Sequence, residues 1–123
     1  QGIYQYNPEE HSIKKNSDSD VTKELVKACF SQEFIQNAGV NILIAADNKR
    51  TEERYASRGE RYVYMEAGSA TQNISLEAVE LGLGTVIVGA FDDEAVQKIF
   101  GLKKWLPLAV MPIGQPKDKK MYL

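Results

Sequence analysis

The segment Leu81-Gly82-Leu83-Gly84-Thr85-Val86-Ile87-Val88-Gly89-Ala90-Phe91-Asp92-Asp93 decides how the chain is read, because it runs from a helix end through an apolar stretch to a helix start. Gly82 suits the position just past a helix terminus, where glycine takes the left-handed conformation at least cost. Gly84 to Ala90 is apolar and rich in β-branched residues, which predicts a buried strand. Asp92 has the side chain of an N-cap and predicts a helix from Asp93 to Phe100, closed by Gly101. A dinucleotide-binding turn needs a strand before its glycines, a helix after them and a third glycine. Here the order is reversed and Ile87 stands where the third glycine would fall, so that reading is excluded.

Working outward, Tyr62 to Leu81 places Val63, Ala67, Ala70, Ile74, Ala78 and Leu81 at helical spacing, with Met65, Gln72, Leu76 and Val79 alongside. So wide an apolar surface predicts a central, largely buried helix. Its Ala67-Gly68-Ser69-Ala70 patch leaves room for another backbone to approach, from a neighbouring element or a second subunit. On the carboxy-terminal side, Leu108 to Ile113 predicts a last strand, followed by Gly114-Gln115-Pro116 and a basic tail from Lys117 to Leu123.

Toward the amino terminus, Lys49 to Arg61 is charged throughout and holds every arginine of the protein: Arg50, Arg54, Arg58 and Arg61. On one helix all four would share a stripe, with Glu52, Glu53 and Glu60 as neighbours, although Gly59 weakens a single-helix reading. Two readings stay open, a solvated face laced with ion pairs or a contact for an anion or substrate. Val40 to Ala46 predicts a buried strand, Gln32 to Asn37 a short helix, and Val21 to Phe30 a helix capped by Asp20. Gly2 to Tyr6 and Ser12 to Lys14, joined by Asn7-Pro8-Glu9-Glu10-His11, read as a β-hairpin.

With 123 residues, 43% of them hydrophobic, the chain has the content of one domain with one core. Cys29 is the single cysteine and His11 the single histidine, which excludes an internal disulfide and a cysteine- or histidine-rich zinc site. His11 falls in a turn and reads as a surface residue; Cys29 falls on an apolar helix face and reads as a small buried hydrophobe. A net charge of −2 argues against non-specific nucleic-acid binding. The longest apolar stretch, around Leu83 to Phe91, is far short of the roughly 20 residues that span a bilayer. The opening Gln-Gly-Ile-Tyr-Gln-Tyr has no leader pattern. The expectation is a cytoplasmic protein with no metal site and no membrane or nucleic-acid partner.

No side chain in this pattern is an obvious acid, base or nucleophile. What the strand end at Gly89 offers is main-chain N–H groups and close approach for a flat ligand. That suits an enzyme whose cofactor carries the chemistry. The competing reading makes Gly89 a bend in a core strand.

Seven segments in order, Gly2 to His11, Ser31 to Ile35, Arg54 to Tyr62, Glu66 to Asn73, Leu81 to Thr85, Val88 to Asp93 and Pro112 to Pro116, resemble the carboxy-terminal portion of flavin-dependent nitroreductases. Within them the likeness is to the SagB-like oxidoreductases associated with thiazole and oxazole formation. The resemblance implies an α+β, nitroreductase-like fold with a central, mostly antiparallel sheet flanked by helices and one long buried helix, residues 1–123 forming the carboxy-terminal portion of that domain. It implies a homodimer holding FMN at the subunit interface, NADH or NADPH as electron donor, and a small-molecule substrate. The corner Ile87, Val88, Gly89 and Ala90 would lie against the flavin, and Lys117 or Lys119 would meet its phosphate. Arg54 and Tyr55 stand where azoline-oxidising relatives carry Lys-Tyr; Arg54, always protonated, could serve as an electrostatic partner but scarcely as a proton acceptor. The family's first FMN-binding element, an amino-terminal run of Arg and Ser on a helix, has no counterpart in this sequence. A non-catalytic dimerisation or flavin-binding module is the alternative.

Overall fold

The structure, a computed structural model, describes residues 1–118. Along the chain it runs β1 (Ile3–Asn7), β2 (Ser12–Ser17), α1 (Thr22–Ala28), a 3₁₀ turn (Glu33–Ile35), β3 (Val40–Ala46) and α2 (Asn48–Tyr55). A second 3₁₀ turn (Ala56–Arg58), α3 (Gly59–Glu80), β4 (Gly84–Thr85), α4 (Asp93–Phe100) and β5 (Leu106–Gly114) follow. The architecture is mixed α+β with antiparallel pairing throughout: the hairpin β1-β2 stands apart from a three-stranded sheet of order β3-β5-β4.

The core gathers Leu25, Ala28, Cys29 and Ile35 from the amino-terminal helical region with Val88, Val96 and Val110 from the sheet side and α4. Burial raises the Cys29 thiol above its ordinary pKa, as expected of a packing residue rather than a nucleophile. Asp92 caps α4, its carboxylate accepting the Ala95 amide at 3.0 Å. Gly82, at φ +70°, ends α3: its own amide bonds to the Val79 carbonyl and that of Leu83 to the Ala78 carbonyl, which satisfies two carbonyls of the last turn.

Three expectations change. The apolar run Gly84 to Ala90 is not one strand: only Gly84 and Thr85 pair continuously with β5, and Val88 returns to make an isolated bridge with Val110. The register is constant, so Val86 lies opposite Pro112, in the phase of the ladder where partners exchange N–H···O bonds. Proline has no N–H to exchange, and the ladder opens there. Asn41 lies opposite Pro112 on the other side, in the wide phase, so β3 pairs past it.

Secondly, Lys49 to Arg61 is broken into α2, a 3₁₀ turn and the start of α3, so its arginines occupy three elements instead of one stripe. Ala56, at φ 49° and ψ −133°, makes the break. Gly59 lets α3 start against α2, for a Cβ there would sit 2.7 Å from the Glu52 backbone. Thirdly, α3 is long but not largely buried. Of its 22 residues only Gly59, Val63, Thr71 and Ala78 are buried, a single line, while Tyr64, Met65, Leu76 and Val79 are exposed.

One ion pair ties the sheet side to the helices. The Asp47 carboxylate, 6% exposed between β3 and α2, receives Lys104 from the α4–β5 loop at 2.7 Å. That bond holds the Asp47 carboxyl below the ordinary carboxylate range, against the opposing pull of desolvation.

Two outcomes follow for stability. Gly59→Ala should destabilise the chain by about 1–3 kcal/mol through overpacking against α2, whereas Gly68→Ala, with open space around it, should stabilise an isolated chain by about 0.5–1 kcal/mol; urea unfolding of both variants checks the signs. A lowered folded-state pKa means the Asp47 contribution is present above the unfolded value of about 4 and fades as pH falls through the folded one. Asp47→Asn should therefore be less stable than the parent at neutral pH, the gap closing in strong acid; a midpoint difference unchanged on acidification would refute the assignment.

Candidate flavin edge and the α2–α3 elbow

The Val88–Val110 bridge, just past the open ladder at Pro112, shapes the chain's most ligand-like feature. The Val88 N–H donates to the Val110 carbonyl and the Val110 N–H to the Val88 carbonyl, both at 2.9 Å. Across planar trans peptides, the groups on either side must point the other way. The Ile87 carbonyl and the Gly89 N–H are therefore turned from β5 toward the free edge of the sheet. Val88 is buried, while Val86, Ile87, Gly89 and Ala90 are exposed. Beyond Gly89 and its two chain neighbours, no heavy atom lies within 4 Å of where a Cβ of Gly89 would be. The edge thus offers an acceptor, a donor, two apolar side chains and room for a flat group against the main chain.

These features fit the ring of a flavin, which combines an apolar plane with a polar rim of donors and acceptors. Lys117 is exposed just past the end of β5, available to a phosphate, and Lys119 lies outside the described residues. Among the described residues no group of three or more His, Cys, Asp or Glu is placed to hold a metal, and no helix is long and apolar enough to cross a membrane.

Arg54 and Tyr55 end α2. The Arg54 guanidinium lies 5.3 Å from the centre of the Tyr55 ring, which meets Tyr62 edge-on at 5.0 Å and 89°. Two shallow depressions flank this elbow, one lined by Tyr55, Tyr62, Met65 and Glu66, the other by Ser57, Glu60, Arg61, Tyr64 and Met65. The Tyr64 hydroxyl donates to Glu60 at 2.8 Å, which raises the phenol above its ordinary pKa. Ala56 adds a backbone conformation of the kind that clusters at functional sites and costs about 1–3 kcal/mol.

The ion-paired reading of this segment is not upheld. Among the described residues the ion pairs are Lys15–Asp18 and Lys104–Asp47, so Arg50, Arg54, Arg58 and Arg61 have no carboxylate partner. Nor does the chain gather its two candidate sets into one pocket. Neither depression includes a residue of Ile87 to Ala90, and α3, about 33 Å long at 1.5 Å per residue, lies between Tyr55 and β4 in the sequence. Tyr62 and Tyr64 went unnoticed in the sequence because their helical periodicity marks them as ordinary helix residues. Their spacing from Tyr55 across a broken helix carries no pattern.

The comparisons agree with this fold. The Nitroreductase family pattern matches residues 2–115. A protein of Methanocaldococcus jannaschii named as a nitroreductase is 46% identical over 115 residues, covering 94% of this chain and 58% of its own length. An Archaeoglobus fulgidus protein named as an NADH dehydrogenase/NAD(P)H nitroreductase is 29% identical over 108 residues, 84% of this chain and 59% of its own. This chain therefore spans somewhat under three-fifths of both relatives. Among solved structures, a nitroreductase of Anabaena variabilis superposes with a TM-score of 0.88 at 28% identity, over 94% of this chain and 24% of that one. A chain of the Escherichia coli microcin synthetase complex shares the fold, with a TM-score of 0.83 at 24% identity over 94% of this chain and 44% of its own. With the family pattern covering nearly all of the described residues, the chain belongs to the nitroreductase family.

Proposed function

We propose that the chain is the carboxy-terminal portion of an FMN-dependent oxidoreductase of the nitroreductase type, in its SagB-like subgroup. The observation that carries this reading is the opened sheet edge, where the Ile87 carbonyl and Gly89 N–H face outward beside exposed apolar side chains. Bound against it, FMN would supply hydride acceptance and donation at N5. The chain's own part is to orient the ring by main-chain contacts and, through Lys117, to neutralise phosphate charge. NADH or NADPH is the electron donor, a choice supported by the name of the Archaeoglobus relative. Arg54 supplies fixed positive charge at the elbow and Tyr55 the polar contact to a small-molecule substrate.

In this reading the exposed line of α3, with Met65, Leu76 and Val79, meets a second copy of the chain, and the flavin lies at that interface. A homodimer also joins the edge of one subunit to the elbow of the other, which a single chain does not do. The second reading, a flavin-binding or dimerisation module without turnover, is favoured by one observation: the elbow and the edge do not converge within the chain.

Purified chain mixed with FMN, at natural length and in the presence of its partner copy, should retain a yellow flavin band on gel filtration that bleaches on adding NADH or NADPH. Retention without bleaching would select the non-catalytic module; no retention would remove both readings. Tyr55→Phe should lower turnover at least tenfold while leaving FMN affinity within about twofold, for the loss of one hydrogen bond in a transition state is worth this much. Equal turnover in the two proteins would take Tyr55 out of the chemistry.

A further inference from the structure

The Gly89–Ala90 edge is tied to the end of α1 by the side chain of Gln32. Gln32 sits just past α1 and its side-chain amide reaches two carbonyl oxygens, that of Cys29 at 2.9 Å and that of Ala90 at 3.2 Å. Both partners are acceptors, so the side chain must face them with its NH₂ group, and its two donors are matched to two oxygens. A second bond lies beside it, from the Asp92 N–H to the Ala28 carbonyl at 2.9 Å. Together they fasten the corner after the sheet edge to the end of α1.

The backbone leading into Gln32 is shaped for this reach. Phe30 and Ser31 are consecutive residues at positive φ, 53° and 63°, a conformation that side-chain-bearing residues seldom adopt. They turn the chain after Cys29 so that Gln32 comes back over the helix end, its own amide also bonding to the Cys29 carbonyl at 3.3 Å. The strain is borne in a loop whose Gln32 side chain bonds to Ala90, 58 residues away.

We propose that Gln32 is a positioning residue that sets the main-chain edge at Gly89 and Ala90. The Val88–Val110 exchange fixes the peptide before Gly89, because it bonds the Val88 carbonyl. Gln32 fixes the peptide after Ala90, because it bonds the Ala90 carbonyl. Only the Gly89–Ala90 peptide between them lacks such a bond, and the glycine leaves it free to swivel. With both flanks pinned, the Gly89–Ala90 peptide is confined between two fixed planes; with Gln32 removed, the Gly89 carbonyl and Ala90 N–H sample several directions, while the Gly89 N–H keeps the one that the Val88 carbonyl sets. The use of this edge to hold a flavin rests on the proposed function, whereas the tether itself does not.

The test compares the full chain with Gln32→Glu, an isostere whose carboxylate would set oxygen against two carbonyl oxygens, and with Gln32→Met, which fills the space without donors. Amide spectra and hydrogen exchange are recorded without ligand, and FMN and riboflavin are titrated in parallel. The expected result is a preserved fold, with altered amide shifts confined to residues 28–33 and 88–92, faster exchange at the Asp92 N–H that bonds the Ala28 carbonyl, and at least tenfold weaker binding of FMN and riboflavin alike. An equal loss for both ligands places the effect at the ring rather than at the phosphate. Unchanged Ala90 and Phe91 amide shifts together with unchanged Asp92 exchange in both variants would overturn the proposal. If the parent chain takes up neither flavin, the flavin reading fails by itself, and the amide shifts and exchange rates alone uphold or overturn the tether. Should Gln32→Glu fail to fold, Gln32→Met decides, and recovery of parental amide shifts in Gln32→Glu on acidification, as its carboxyl regains a donor, supports the tether.

Discussion

A missing N–H in the middle of the sheet governs what this fold can offer. β5 is the central strand, and central strands seldom carry proline because each residue there is asked for a donor on one side or the other. Pro112 escapes the cost toward β3, where its position is in the wide phase of the ladder, and incurs it toward β4, where Val86 would have exchanged bonds with it. The consequence is local and useful. The edge strand leaves the sheet for two residues and returns at Val88, where the outward main-chain groups lie beside the exposed Val86 and Ile87 side chains. Pro107, the other proline of β5, lies where the β3 pairing shifts register, so both irregularities of the sheet coincide with prolines.

The apolar surface of α3 and of the amino-terminal hairpin sets a second constraint. Met65 is 63% exposed and Leu76 60%, and on the hairpin Tyr4, Tyr6 and Ile13 are exposed too. A two-stranded hairpin with little packed beneath it is marginal in water, and here local bonds supply what holds it: the Tyr6 hydroxyl to His11 at 3.0 Å, Lys15 over the Tyr4 ring, and the Lys15–Asp18 pair. Such contacts between exposed groups contribute little individually. Scattered apolar residues need no explanation, but a run along one helix face does. The same residues that weaken the case for a self-contained monomer strengthen the case for a site completed by another chain.

The sequence revealed the elements that depend on local chemistry. The α4 boundaries, its Asp92 cap, the Gly82 terminus and the extent of β3 all follow from side chains acting on their own neighbours. What it concealed depended on residues far apart in the chain. The run Gly84 to Ala90 is as good a strand as Val40 to Ala46 in composition; only the register, which brings Pro112 opposite Val86, distinguishes them. The periodicity of α3 was correctly read as helix and wrongly read as largely buried, because apolar residues at helical spacing do not say how much of the helix its own chain will cover. Gly59 was seen as a weakness in a helix, and it is where two helices touch. Of the candidate site, Ile87 to Ala90 was legible through its glycine, whereas Gln32 bore no signal because its partner lies 58 positions away.

The proposed site of peptide groups is consistent with a composition that holds one histidine and one cysteine. Histidine and cysteine are useful where the protein itself must move a proton or form a bond; an edge of carbonyl and amide groups is useful where the protein must orient a ring that reacts on its own account. Peptide groups are fixed in charge at all ordinary pH values, so their contribution depends on direction alone. Direction is then what the surrounding structure has to secure, and in this chain it is secured by a proline that opens the ladder, a valine pair that closes it again, and a corner fastened to the end of α1. A substitution at Gly89 would change the room beside the edge, whereas a substitution at Pro112 would change how firmly Val86 and Ile87, just before it, are held to β5.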